Sequence, residues 1–171
     1  MVIKMYYLNY FFLYSIIGHV LESLFIFLKG SNGESGYLYG PWTPVYGIGI
    51  ILIIIISNFV FKNIKKNKII QSIIIFLWVS IALSIIEWLG GITIEHFFHF
   101  SFWNYSKLAL SIGKYVAVEV AAIWGILSLV FIYLLKNPSD KFVKLIPKWL
   151  TYILVVLFII DNIFSILKYI K

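Results

Sequence analysis

The chain contains no cysteine, which excludes disulfides and thiolate metal sites. It contains no arginine either: all 14 basic residues are lysine. Acids are scarce, seven in 171 residues, and charged residues together reach only 12%, about half the share usual in soluble domains. Two catalytic signatures are also missing. Without G-x-x-x-x-G-K-[ST] the chain cannot hold ATP in the P-loop manner, and without G-x-S-x-G it has no nucleophile elbow. Apolar residues fill the space left by charge, at 62% of the chain with a mean hydropathy of +0.98. That composition belongs to a polytopic membrane protein, each span needing about 20 residues. The net charge of +7 is not a nucleic-acid footprint, because the lysines gather at the ends of apolar runs, where they report topology.

Five such runs predict five helical spans, at residues 5–28, 44–61, 69–98, 114–135 and 149–167. The expected fold is all-α, a transmembrane helical bundle forming one integral membrane domain over 1–171. The first run is a span and not a signal peptide: Lys4 alone precedes it, Glu22 interrupts it, and no small-residue cleavage site follows. The third run is longer than one straight span needs and contains Gly90-Gly91, so it must tilt, break or project. Lys136 to Lys148, with Pro138 and Pro147, reads as a basic connector.

Between the first two runs, after the polar turn Lys29–Glu34, lies G-Y-L-Y-G-P-W-T-P-V-Y-G-I-G, from Gly36 to Gly49. Gly36, Gly40, Gly47 and Gly49 permit positive φ and close backbone approach, while Pro41 and Pro44 fix φ and remove donors. A segment with this chemistry and no charge is built to hold one irregular path, as an outer or re-entrant loop at the membrane surface.

Lysines set the orientation. Lys62, Lys65, Lys66 and Lys68 form one basic loop, and Lys136, Lys141, Lys144 and Lys148 a second. Both belong in the cytoplasm. Five spans then place the N-terminus and Lys4 inside and the C-terminus outside, in the plasma membrane. At about 1.5 Å per residue, Glu22 and Glu87 fall in the outer half of their helices, as does Asp161. Glu95 and Glu119 lie near outer ends. Acids inside spans mark sites by default, and apolar residues flank Glu22 and Glu87 on both sides. Glu87, Gly91 and Glu95 share a helix face. Trp42, Trp88, Trp103 and Tyr105 fall near the acids, whereas Tyr6, Tyr7, Trp149 and Tyr169 read as an interfacial aromatic belt. Two pairs, His19 with Glu22 and Glu95 with His99, have spacings that suit a divalent metal, a weak alternative in the absence of an H-E-x-x-H helix. Ser15-Ile16 precedes Glu22 by the same spacing as Ser80-Ile81 precedes Glu87, a faint internal similarity.

These residues carry a resemblance. Glu22 followed by Gly36-Tyr37-Leu38-Tyr39-Gly40-Pro41, Pro44, Tyr46-Gly47 and Gly49 is similar to the signature of the Putative ABC-transporter type IV (CmpB-like) membrane proteins. Glu87, Glu95 and Trp103-Asn104-Tyr105-Ser106 resemble its second block. Gly113-Lys114 and Trp124-Gly125 resemble the family's pattern C-terminal to that block. The likeness spans roughly residues 8 to 135. Asn104 stands where the family usually has Asp, and His19 where it often has Trp. The resemblance implies a permease role and names no substrate; with no P-loop here, any driving energy comes from a partner such as a separate ATPase subunit or from an ion gradient.

The expected function is a permease or transporter component with an outward-facing pocket. The Gly36–Gly49 loop and helices one, three and four would form it. Glu22, Glu87 and Glu95 would bind a cation, relay a proton or pair with a basic substrate group, within walls of Tyr39, Trp42, Tyr46, Trp103 and Tyr105. No cofactor is expected. Partners are the bilayer and an ATPase subunit or further copies of the chain, not nucleic acid. A membrane enzyme acting on a lipid-linked substrate at the outer leaflet, and a non-catalytic accessory subunit, stay open beside it.

Overall fold

A computed structural model describes residues 3–30, 36, 38–65 and 67–170. Tyr37 of the loop motif, most of the polar turn before it, Lys66, Lys171 and the side chain of Tyr169 lie outside the described residues. Six α-helices account for most of the chain: α1 (Ile3–Leu28), α2 (Pro44–Asn63), α3 (Lys68–Phe98), α4 (Val118–Val130), α5 (Lys136–Leu145) and α6 (Lys148–Ile170). Strands β1 (Ser111–Ile112) and β2 (Val116–Ala117) form an antiparallel hairpin, with Ser111 opposite Ala117. Five helical segments among the described residues are long and apolar enough to cross a membrane. The fold is therefore the all-α, multi-span class that the hydropathy predicts.

Local chemistry fixes the ends. Gly30, at φ 66°, closes α1 with its N–H on the Phe27 carbonyl at 3.0 Å, the left-handed glycine stop that helices favour. Pro44 opens α2, where its missing N–H costs nothing. Asn67 caps α3 by accepting the Ile70 N–H at 2.9 Å. His99 ends α3 in the left-handed region at φ 58°. Gly90-Gly91 does not break α3, which stays helical over 31 residues. At about 1.5 Å per residue that is roughly 46 Å, so the helix tilts or projects in a bilayer.

The fourth span departs from expectation at both ends. Residues 114–117 belong to the hairpin, so the helix begins at Val118. It then runs on as far as Leu145, through a π turn at Phe131–Leu135 and into α5. The basic stretch that composition marks as a connector is thus helical through Leu145. Pro138 lies within one turn of the π segment. Its missing N–H leaves the Leu134 carbonyl without the usual donor, and a widened turn relieves the ring clash.

The chain divides into two compact units. One comprises Met1–Ile51 and Asn137–Lys171, hence α1, the loop motif, the start of α2, α5 and α6. In it α1 packs on α6. Its best-buried apolar cluster is Phe12, Leu38 and Trp42, closed by Phe11, Ile16, Leu154, Val155 and Phe158. The other unit is Leu52–Lys136. In it α3 packs along α4, and both touch β2.

Candidate functional site

In the first unit the loop motif is seated by backbone and acid together. The Thr43 N–H donates to the Ser15 carbonyl of α1 at 3.0 Å. Gly47 lies so close to α1 that a Cβ there would come within 2.3 Å of Ser15 Oγ, and one on Gly18 within 2.3 Å of the Tyr46 ring. Tyr46 is thus a packing residue as well as a motif residue. Asp161 of α6 holds the turn. Its Oδ1 accepts the Tyr39 N–H at 3.1 Å and its Oδ2 the Gly40 N–H at 3.0 Å. Oδ2 also accepts the Trp42 indole N–H at 2.7 Å, and Ser165 donates to Oδ1 at 3.3 Å. Four donors on one carboxylate match its lone pairs, and they explain how a charge is tolerated in an apolar span. Gly40 is required at this point, since a Cβ would lie 2.2 Å from Trp42 Nε1 and 3.0 Å from Asp161 Oδ2.

The acid beside the motif is therefore Asp161. Trp42 is 6% exposed and packs edge-on against Phe12 and Phe158, each at 6.0 Å between centroids. Tyr39 is 64% exposed. Glu22 sits half-buried on α1, and the buried His19 Nδ1 one turn away has no hydrogen-bond partner.

The second unit holds the deepest acid of α3. Glu87 is 7% exposed. Tyr105 donates its hydroxyl to Glu87 Oε1 at 3.3 Å, and the Trp124 side chain of α4 is the other hydrogen-bonding neighbour of that carboxyl. Tyr105 is placed by its own N–H on the Lys114 carbonyl at 2.8 Å. Trp103 meets Tyr115 edge-on at 5.9 Å, and its buried indole N–H is without a partner. Of the residues named from the sequence, Tyr105 thus meets Glu87, while Trp103 lies against Tyr115 and 3.8 Å from where a Cβ on Gly90 would stand.

Glu95 plays a different part. One turn beyond Gly91 on α3, it is ion-paired with Lys114 and accepts the Tyr115 hydroxyl. The Tyr115 ring lies on Gly91, where a Cβ would come within 2.3 Å. The carboxylate beside it raises the Lys114 ammonium above its ordinary value, and burial, then the bond to Glu95, raises the Tyr115 hydroxyl. Glu119 accepts the Leu110 N–H at 2.9 Å from the first turn of α4, a placement the helix dipole favours. Among the described residues no three His, Asp or Glu side chains gather as a metal site. The pairs His19 with Glu22 and Glu95 with His99 fall in different units.

Sequence reasoning missed a polar network on the first unit. Tyr6 and Tyr10 both donate to Asp140 Oδ1, at 2.6 and 2.9 Å, and Tyr14 bonds Ser139 at 2.7 Å. Asn9 donates to the Val143 carbonyl at 3.0 Å and accepts from Thr151 at 2.6 Å. Tyr6 thus ties α1 to α5 and is not simply part of an aromatic belt. The 6, 10, 14 spacing was the available signal, one tyrosine per turn on one face.

Five apolar spans with acids held inside them define a multi-pass α-helical membrane protein. The chain belongs to the family described as Putative ABC-transporter type IV, whose sequence model matches residues 9–166. That match extends well past the motif blocks and takes in Asp161. No curated protein and no solved structure matches the chain.

Proposed function

We propose that the chain is the membrane-spanning component of a transporter, and that Glu87 is the acid at which it binds a cation or a coupling proton. The observation that carries this is the burial of Glu87 inside an apolar span, beside a phenol and an indole. An acid at span depth costs about 2.5–3.5 kcal/mol even on insertion scales, and one that has no salt bridge among the described residues is best explained by use. Trp103 and Tyr105 are its aromatic wall. Glu22 is a second candidate acid within its own unit.

Family membership supports a transport role and is consistent with an ATPase on a separate subunit, since the sequence has no P-loop motif. The lysine distribution supports a plasma-membrane topology with the N-terminus in the cytoplasm and the C-terminus outside. On that topology the loop motif and the segment between α3 and α4 both face outward. The test is cation movement in proteoliposomes that hold the chain with its co-purifying ATPase, followed with an entrapped pH dye and with rubidium. Glu87→Gln should abolish movement while the thermal melt stays close to wild type. Undiminished movement in that variant would sink the reading.

A further inference from the structure

Beside the Asp161 clamp lies a groove of about 560 Å³, separate from the surroundings of Glu87. Tyr39, Trp42 and Phe164 line it together with Asp161, and Leu157 and Ile160 complete its wall. From this lining we infer that the groove binds the quaternary-ammonium headgroup of an amphiphile, with the tail running along the apolar face of α6.

Three features select that chemistry. First, the groove holds one carboxylate among three aromatic rings. Ring faces and a fixed negative charge attract a cation, and an aromatic cage is the usual seat of a quaternary ammonium. Second, the carboxylate already accepts four donors, two from backbone N–H groups, one from an indole and one from a hydroxyl. A primary ammonium must replace the water on its three N–H groups, and Asp161 has little acceptor capacity left to offer. A quaternary ammonium donates nothing and needs only the field and the ring faces. Third, one of the wall rings already draws a cation, the Lys168 ammonium lying 4.9 Å from the centre of the Tyr39 ring.

The tail follows from the other wall. Leu157, Ile160 and Phe164 are 47%, 44% and 61% exposed on a span. They present a continuous apolar strip to the bilayer, so a headgroup seated at Asp161 leaves its chain in hydrocarbon. A small soluble ammonium would gain nothing from that strip. This inference uses residues remote in sequence from Glu87 and does not depend on the role of that acid.

The experiment is isothermal titration of the full chain in maltoside micelles with four probes. They are an alkylphosphocholine below its micellar concentration, choline, its uncharged isostere dimethylbutanol, and ethanolamine. The alkylphosphocholine should bind tightest and choline measurably, with dimethylbutanol and ethanolamine weaker than choline by about tenfold. Tyr39→Leu and Phe164→Leu should each weaken binding by about tenfold. Both leave the clamp intact, since Tyr39 contributes its backbone N–H and not its ring. Equal binding of dimethylbutanol and choline would reduce the site to an apolar groove and overturn the inference. Ethanolamine binding as tightly as choline would overturn the headgroup assignment, and choline matching the alkylphosphocholine would overturn the tail. Unchanged affinity in Tyr39→Leu and Phe164→Leu would place the probes elsewhere.

Discussion

Gly90 and Gly91 are neighbours in α3 with opposite surroundings. A Cβ on Gly91 would lie 2.3 Å from the Tyr115 ring, whereas on Gly90 the nearest atom is 3.8 Å away, on Trp103. Alanine gains about 1 kcal/mol of helix propensity over glycine at either position, but overpacking costs about 1–3 kcal/mol. Gly90→Ala should therefore leave the thermal melt unchanged or raise it, and Gly91→Ala should lower stability by about 1–2 kcal/mol. Tyr115 cannot give way easily, since its hydroxyl is held by Glu95. The same cluster sets a pH dependence. The folded state raises Lys114 above 10.5 and Tyr115 above 10.0, so both favour the protonated form. Their contribution is complete below those values and is lost as pH rises through the higher folded ones. The melting temperature should fall above about pH 10, and Glu95→Gln should flatten that fall. Side-chain identity at the candidate site was partly legible: Glu87, Trp103 and Tyr105 could be named because an acid in an apolar run and an aromatic cluster are local signals. Asp161 was visible as an intramembrane acid, but its partners in the loop motif were not. They lie 119 to 122 residues away in sequence, and two are backbone N–H groups that no pattern of side chains announces.

The long apolar helices declared themselves because hydropathy over 18 or more residues outweighs any local propensity. Helix α5 did not. Lys136–Leu145 reads K-N-P-S-D-K-F-V-K-L, polar and interrupted by proline, so its own composition argues for a loop. It is helical because its polar side chains are used elsewhere: Ser139 and Asp140 meet the tyrosines of α1. A hydrogen bond to a charged group contributes about 1.5–3 kcal/mol. Asp140→Ala should therefore destabilise the chain by a few kcal/mol and raise amide hydrogen exchange across residues 136–145 before that of α3. Tyr6→Phe with Tyr10→Phe should reproduce most of that change, and protection of α5 equal to wild type in both would show that the helix holds itself. The serines that precede Glu22 and Glu87 pack alike. Ser15 meets Gly47 in one unit, and Ser80 meets Gly125 in the other, where a Cβ would lie 2.3 and 2.5 Å from the respective hydroxyls. Each serine is buried with its hydroxyl unpartnered. In each unit a small residue thus lets a second helix approach closely about two turns from an acid on the same helix face, the packing expected where lipid supplies no hydrophobic drive.

At the scale of the whole molecule, charge decides the direction in which the spans run. On the proposed five-span topology, nine lysines would fall on the side of the 62–68 and 136–148 segments and five on the other. The segments around the loop motif and the hairpin carry Lys29, Lys107 and Lys114, too few to reverse that bias. The absence of cysteine makes the prediction directly testable, because each introduced thiol is the only one present. Lys29→Cys and Asn104→Cys should react with a membrane-impermeant maleimide on intact cells. Lys65→Cys and Lys144→Cys should react only after the membrane is opened. Labelling of the second pair on intact cells, with the first pair protected, would invert the orientation and turn the loop motif and the segment after α3 to the cytoplasm. A mixed result carries information of its own. Lys144 lies in the helical extension beyond the π turn, and Lys65 in the short link between α2 and α3. If Lys65 alone were protected as expected and Lys144 reacted from outside, the Val118–Leu145 segment could not cross the bilayer as a single span. The chain would then keep its five apolar helices without the alternation of five full spans.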